Sequence, residues 1–351
     1  MKYPIFFLIV ASLSAPIALL SQEVIIIRDM KETMKTSSVG YEFDQYQHTY
    51  TFVDLPLVQT GVFLSPNGDQ LRLSDYSEYE SFEVRKLKIS AEAAIRSKKF
   101  SKARRIFLKM LSDMPNHSQV MVYIGHTFEK DNDTEMAEQW YQKAIETNPI
   151  NYVAYRALAE VQVSKGMFDK ALESALSALV LNRNDEELVQ VVNKIARFQG
   201  KQFSGWDFAP QYQVLVGESG SVKVEYNGSP WKYYGLSKAF WSYEPGYSSG
   251  RLRGNFDEFQ VLQEQDCMER ALYAYENLLG DENLKQTTFP AIYEYNKAKH
   301  KGYAMEYILY EVVMQENPYL ACTLNGIEVK QIVDYLIHNR LVDNEVKYKK
   351  I

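Results

Sequence analysis

Between Ser118 and Pro149 the apolar positions recur at helical spacing, stop at a polar break, and resume. Met121, Ile124 and Phe128 share one stripe, with Gly125 inside it where a neighbouring backbone must come close. Ala137, Tyr141 and Ala144 follow at steps of four and three, which puts them on one face of a second helix. The Asp-Asn-Asp run at residues 131–133 is the polar turn between them. Asn148-Pro149 ends the second helix, because proline cannot continue it and the residue before proline avoids the helical well. The pattern predicts a helical hairpin.

A step of 34 residues in either direction brings the pattern back into phase. It aligns Ala103, Ala137 and Ala171, then Ala91, Gly125 and Ala159, then Pro115 with Pro149. Small residues at fixed positions let paired helices approach closely, and a period of 34 is the sequence signature of a helix–turn–helix repeat. In these residues the stretch of about residues 82–183 resembles the tetratricopeptide repeat family, with three copies in phase. The middle copy matches at Gly125, Phe128, Ala137, Tyr141, Ala144 and Pro149. The first keeps Ala91, Ala103, Phe107 and Pro115 but has Ser90 where a leucine is usual; the third keeps Leu158, Ala159, Ala171 and Ala178, with Gln162 in place of the aromatic and Arg183 in place of the proline.

The resemblance implies an α-α superhelix, or solenoid, over these residues; strand signals before it and helical stripes after it make the chain mainly α, with a small β-containing N-terminal segment and a C-terminal helical domain. It implies that the first helix of each hairpin lines a groove for a protein or peptide partner. The groove residues are then Arg85, Lys88 and Glu92 in the first copy, Gln119, Val122, His126 and Glu129 in the second, and Val153, Arg156 and Glu160 in the third. Family members that grip a peptide's terminal carboxylate use a lysine and two asparagines. Lys88 matches the lysine, but Glu92 and Tyr123 stand where the asparagines belong, and Glu92 would repel a carboxylate. The same mixed charges also fit an ordinary solvated face.

Stacked hairpins need covered ends. Phe82, Val84, Leu87 and Ile95 open the array, and Leu188, Val191, Val192 and Ile195 form a closing stripe after Asn184-Asp185. The expected segments are a signal at residues 1–21, short strands over 22–80, the repeats with their closing helix over 81–199, an aromatic-rich connector over 200–255, and a helical domain over 256–351. Strand expectations fall on Val24 to Ile27, Tyr50 to Val53, and two runs either side of Pro66-Asn-Gly-Asp, a hairpin turn signal; residues 28–48 read as loop. In the connector, residues 211–216 and 222–226 read as paired strands, and Ser229-Pro230 starts a helix with the serine as cap. Beyond it, Met268, Leu272, Tyr275 and Leu279 form one helical stripe that Gly280 ends, Met305, Ile308, Leu309 and Val312 a second, and Val329, Ile332, Val333 and Leu336 a third.

Charge and chemistry narrow the function. A net charge of -6 and no basic stripe argue against nucleic acid as partner. After Lys2, residues 3–22 carry no charge, and small residues precede Gln22, so a cleaved secretory signal is expected and the chain is placed in a periplasm or outside the cell; a membrane role reduces to this segment left uncleaved. Cys267 and Cys322 are the only cysteines and fit either a disulfide or two separate buried thiols. Trp206, Trp231 and Trp241 fit a stacking platform for sugars. Tyr233, Leu236, Phe240 and Tyr243 at helical spacing fit instead a face buried on the last repeat helix. Residues 217–221, GESGS, miss the last glycine of a nucleophile elbow, the five histidines are scattered, and no phosphate loop or zinc knuckle is present. No cofactor, metal or catalytic residue is expected. The alternative is a glycan-binding envelope protein using the aromatic-rich segment, and the second alternative a hydrolase hidden in the C-terminal domain, with Cys267 paired to His300 or His338.

Overall fold

The computed structural model describes residues 27–46, 55–67, 70–204, 207–217, 220–251, 259–278 and 286–344. The signal segment, residues 24–26, the 50–53 run, Trp206, Ser219, Leu279 and Gly280 lie outside these. In chain order come helix α1 (Ile27–Thr36), strand β1 (Tyr41–Gln45), strands β2 (Val62–Asn67) and β3 (Gln70–Asp75), and helices α2 (Phe82–Arg96), α3 (Phe100–Asp113), α4 (Ser118–Lys130), α5 (Thr134–Thr147), α6 (Tyr152–Ser164), α7 (Phe168–Leu181) and α8 (Glu186–Ala196). Strands β4 (Lys201–Phe203), β5 (Tyr212–Val216) and β6 (Val222–Tyr226) follow, then α9 (Ser229–Tyr243), α10 (Tyr247–Arg251) and α11 (Phe259–Glu276). Helix Pro290–His300, a helix over residues 304–316 whose middle turn is π-helical, helix Gly326–Asn339 and strand β7 (Leu341–Asp343) complete the chain. Two compact units share these elements: one holds Pro56–Gly205 with Glu316–Ile351, the other the described residues up to 55 with Trp206–Gln315. The boundaries cut across the expected 22–80 and 256–351 segments.

The first unit is the helical solenoid. Its period is written in the backbone as well as in the sequence. The hairpin turns α2–α3, α4–α5 and α6–α7 each carry one left-handed residue, Lys98 (φ 55°), Asn132 (φ 61°) and Gly166 (φ 72°). After each, an amide reaches back five residues: Lys99 N to Ala94 O, Asp133 N to Phe128 O, and Met167 N to Gln162 O, at 2.8, 3.0 and 2.9 Å. This bond satisfies a helix-end carbonyl in all three copies. Asp133 and Asn151 cap α5 and α6 by accepting from Met136 N and Ala154 N.

Inside each hairpin the aligned small residues are fully buried: Ala91 with Ala103, Gly125 with Ala137, and Ala159 with Ala171. A methyl at Gly125 would lie 2.3 Å from Cε1 of Tyr141, so the tyrosine ring occupies the space of a side chain. In the third copy Gln162 is buried where the second has Phe128, and its Oε1 accepts from buried Ser174 Oγ at 2.8 Å. Ser174 thus keeps the buried amide oxygen hydrogen-bonded. Arg183, at the proline position, is buried and donates to Asn184 Oδ1.

The solenoid is covered by its own chain. Helix α8 buries Leu188, Val192 and Ile195 and is capped by Asp185, as its stripe predicts. Helix Gly326–Asn339, with a complete capping box from Asn325 and Glu328, packs on α7, and β7 pairs antiparallel with β4. Phe82 departs from expectation: it is 75 % exposed, while Val84 takes the buried position. Residues 56–62 form an extended strap along the edge where each second helix hands over to the next first helix. There Asn182 Oδ1 accepts from Val58 N at 2.8 Å, and Asn148 Nδ2 donates to Val62 O at 2.8 Å. The strap runs into the β2–β3 hairpin, whose register from Val62↔Asp75 to Asn67↔Gln70 is the one the Pro-Asn-Gly-Asp turn implies.

The second unit corrects two expectations. Within the expected 28–48 loop, residues 28–36 belong to helix α1 and residues 41–45 form strand β1, and β1 pairs in parallel with β6, which pairs antiparallel with β5. Helix α9 lies on β5 and β6, with Gly235 where a methyl would meet Val224 Cγ1 at 2.8 Å. Its cap residue is Gly228 rather than Ser229, which is the first helical residue, with Pro230 next. Leu236 and Phe240 are buried as their spacing predicts, but against Met30 of α1, Trp241 and Tyr247 within this unit; Tyr243 is 40 % exposed. The stripes of α11 and of residues 304–316 are buried at Met268, Leu272, Tyr275, Ile308, Leu309 and Val312. No helix among the described residues is long and apolar enough to cross a membrane.

The repeat geometry sets two opposite expectations. Gly125→Ala forces a methyl against the Tyr141 ring, and urea unfolding should show a loss of about 1–3 kcal/mol. Lys98→Gly relieves a left-handed residue that carries a Cβ, at a cost in unfolded-chain entropy, and should raise stability by up to about 1 kcal/mol. Unchanged midpoints for both would contradict the described hairpins.

Candidate partner-binding faces of the repeat array

The face carried by α2, α4 and α6 is charged and largely self-paired. Arg85 is exposed and donates through Nε and Nη2 to the Glu80 carbonyl at 3.1 and 3.0 Å. Lys88 Nζ lies 3.1 Å from Glu80 Oε1, so the lysine matching the carboxylate-gripping position already holds a buried carboxylate. Glu92 is exposed, 3.9 Å from Arg96. On α4, Glu129 Oε2 accepts from the Tyr141 hydroxyl of α5 at 2.9 Å, and that hydroxyl lies 2.9 Å from His126 Nδ1. The hydrogen bond from His126, followed by that from Tyr141, holds the Glu129 carboxyl below its ordinary range against the opposing effect of burial. On α6, Arg156 spans Glu160 at 3.4 Å and Glu187 at 3.2 Å, and Val153 is half-buried. Two expected groove residues are not on this face. Val122 is fully buried in the core with Ala154, Ala157 and Leu158, and Gln119 is buried too, because α6 packs over that side of α4.

A second concave feature was not legible in the sequence. Against the strap edge, a groove of about 890 Å³ is lined by β2, the 114–117 and 147–150 turns, and residues 322–326. One wall is a stack of three rings. Phe63 lies on Tyr76 with centroids 4.3 Å apart, and Tyr76 on His117 at 4.1 Å. His117 is 3 % exposed, with Nε2 3.4 Å from Glu80 Oε1 and no hydrogen-bond partner at Nδ1. Burial, with a smaller push from Lys88, holds its imidazole below the ordinary value of 6.5, and Glu80 offsets part of that. Tyr76 OH donates to Asn116 O at 3.0 Å and accepts from Ser118 N at 3.2 Å, tying the hairpin to the start of α4.

The aromatic segment is core rather than platform. Trp231 and Trp241 are 1 % and 4 % exposed, so no indole face among them is open to a sugar; Trp206 lies outside the described residues. Helix α11 supplies buried acids that fix this core. Asp266 Oδ2 accepts from Ser237 Oγ at 2.6 Å, Trp241 Nε1 at 2.9 Å and Tyr247 OH at 3.2 Å, and its Oδ1 accepts from Arg270 Nε at 3.0 Å. Glu264 takes the Tyr234 hydroxyl and Lys238 ammonium. Such a network satisfies buried charges that would otherwise be costly.

Both cysteines are buried free thiols, not bridged. Burial pushes the Cys267 thiol well above its ordinary range and the Cys322 thiol up to about 12, the opposite of what a nucleophile needs. His300 and His338 are exposed, with Nδ1 of each against a main-chain carbonyl of its own helix turn. Among the described residues no group of His, Cys, Asp and Glu is arranged to hold a metal ion.

No protein-family model matches the chain, and no curated protein does. Among solved structures it is similar to the tetratricopeptide domain of Sgt2 from Aspergillus fumigatus, at 19% identity over 34% of this chain and 80% of that one, with a TM-score of 0.32. It is similar at 17% identity to the first tetratricopeptide domain of Spaghetti (RPAP3) bound to the HSP90 peptide SRMEEVD, over 34% and 95% of the two chains, TM-score 0.32. The type III secretion chaperone SycD of Yersinia enterocolitica, solved with a peptide of the translocator YopD, matches at 16% identity over 35% and 98%, TM-score 0.32. The tetratricopeptide-type fold of this chain stands on its own three turns and its own 34-residue phase.

The His117 environment gives a pH dependence of known sign. The folded state binds the imidazole proton less tightly than the unfolded chain, so this contribution is present above about pH 6.5 and lost as pH falls through the lower folded value. Thermal midpoints should drop more steeply below pH 6.5 in the wild-type protein than in His117→Gln; parallel curves would contradict the buried neutral imidazole.

Proposed function

We propose that this chain is a non-catalytic adaptor that holds a protein partner on the face formed by the first helices of its three hairpins. The observation that carries the reading is a stack of hairpins in one register that leaves Arg85, Lys88, Glu92, His126, Arg156 and Glu160 at least partly exposed on those helices. They put charges of both signs on the face, and surface pairs of this kind contribute little to stability, about 0–1 kcal/mol each. A partner with complementary charges can therefore exchange into them at small cost and gain specificity and association rate from the match. Cys267 and Cys322 sit as protonated, buried thiols, which supports a binding role over cysteine hydrolysis. The uncharged run after Lys2 supports work outside the cytoplasm, in a cell envelope or beyond.

The test is a capture experiment from envelope extract with the full chain as bait, beside a variant carrying Glu92→Lys, Arg156→Glu and Glu160→Lys. The wild-type bait should retain a discrete partner that the variant retains at least about tenfold less, with thermal midpoints of the two baits close together, since exposed charges rarely move stability by more than about 0.5 kcal/mol. Equal retention by both baits, or nothing above background on a folded bait, would overturn the reading.

A further inference from the structure

The strap edge of the solenoid already reads extended main chain with asparagine side chains. Asn182 takes the Val58 amide, Asn184 Nδ2 donates to Pro56 O at 2.9 Å, and Asn148 takes the Val62 carbonyl. Asn148 and Asn182 are the same repeat position, one copy apart. The counterpart of Asn184 two copies earlier is Asn116. It is exposed in the groove, its carbonyl is held by Tyr76, and its side-chain amide has no hydrogen-bond partner. The strap does not reach it, because after Gly61 the chain turns into the β2–β3 hairpin.

Beside Asn116 runs an unfinished strand edge. Tyr76 N donates to Gly61 O, so in the antiparallel ladder residues 61, 63 and 65 bond toward β3 while 62, 64 and 66 turn their main-chain groups away from it. The outward Val62 carbonyl is the one Asn148 takes. The next outward residue, Leu64, lines the groove, and neither its amide nor its carbonyl has a partner among the described residues. Pro66 has no amide to offer, so the open edge is one residue deep. No Asp, Glu, Lys or Arg lines the groove; its walls are rings, prolines and apolar side chains with the uncharged polar groups of Ser65, Asn116, Thr147, Asn148 and Asn325. A charged side chain entering it would lose water with no counter-charge in return.

We infer that this groove binds a short, extended peptide segment free of charged side chains, which adds as a strand to the Leu64 edge of β2 and has its main chain read by the Asn116 amide. The site continues the lane in which the solenoid binds its own strap. It is separate from the charged first-helix face and stands or falls independently of it.

A displayed octapeptide library randomised over all twenty residues, panned on the full chain, should enrich sequences depleted in Asp, Glu, Lys and Arg. Synthetic copies should bind about fivefold more weakly to Asn116→Ala, the equivalent of one lost hydrogen bond. Leu64→Pro, which removes the edge amide as Pro66 already does two residues on, should weaken them by about tenfold or more, and N-methylation of one central peptide amide should do the same. Asn116→Ala removes only an exposed, unbonded side chain, so its effect does not depend on how the hairpin tolerates a second proline. Binding should be unchanged in the first-helix triple variant. No enrichment, enrichment of charged sequences, or binders indifferent to Asn116→Ala and to N-methylation would overturn the proposal; the last outcome would mean that the groove takes an apolar ligand by its rings alone.

Discussion

The distance between the two helices of each hairpin is set where a residue with one methyl or none meets the opposite helix. In the second copy the Tyr141 ring fills the place of a Gly125 side chain, and its hydroxyl emerges between His126 and Glu129 on the first-helix face. One side chain thus spans from the packing contact to the surface proposed for a partner. Were the hairpin wider, the ring would lose its contacts and the hydroxyl its two partners. Burial pushes this phenol far above its ordinary range, with Glu129 adding to the effect, so it stays a hydrogen-bond donor at any physiological pH. Alternation of large and small residues across a helix pair is what fixes a close and repeatable crossing.

The solenoid's remaining apolar surface is closed by the chain itself. A helix from beyond residue 325 covers α7, a two-stranded pairing ties residues 201–203 to 341–343, and the strap binds the turn edge through asparagines at repeat-equivalent positions. Repeat arrays need such closures because each end hairpin has a face that no neighbour buries. The second unit solves a different problem: it holds buried carboxylates, and each has donors enough. Asp266 alone collects four, from Ser237, Trp241, Tyr247 and Arg270. That arrangement holds Trp241, which could have served a sugar, in the interior, while Trp231 packs against Phe208 and Tyr234.

Much of the solenoid could be read from residues alone, because every copy repeats the same small residues and the same turn spacing. The phase placed Gly125, Ala137 and Tyr141 correctly, and the β2–β3 hairpin followed from its turn signal. Val122 and Gln119 were misplaced because the expected groove position is defined by one hairpin, whereas burial there comes from the next, through Ala154, Ala157 and Leu158. Strand β1 was invisible for another reason. Its alternation of Tyr41 and Phe43 with Glu42 and Asp44 spans only four residues, most of its side chains are exposed, and its order comes from main-chain pairing with β6, about 180 residues away in the chain. The groove at the strap edge is assembled from β2, two repeat turns and residues 322–326, and no local pattern announces such a meeting. The spacing of Asn116 and Asn184 by two repeat lengths was the one available hint.

The account rests on the first helices of the hairpins forming a single docking face. Hydrogen exchange on the full chain, measured with and without a captured partner, tests this directly. Amides in α2, α4 and α6 should slow together when the partner is present, while those of α9 and α11 keep their rates. Slowing confined to α9 and α11, or to one hairpin with the other two unchanged, would contradict it.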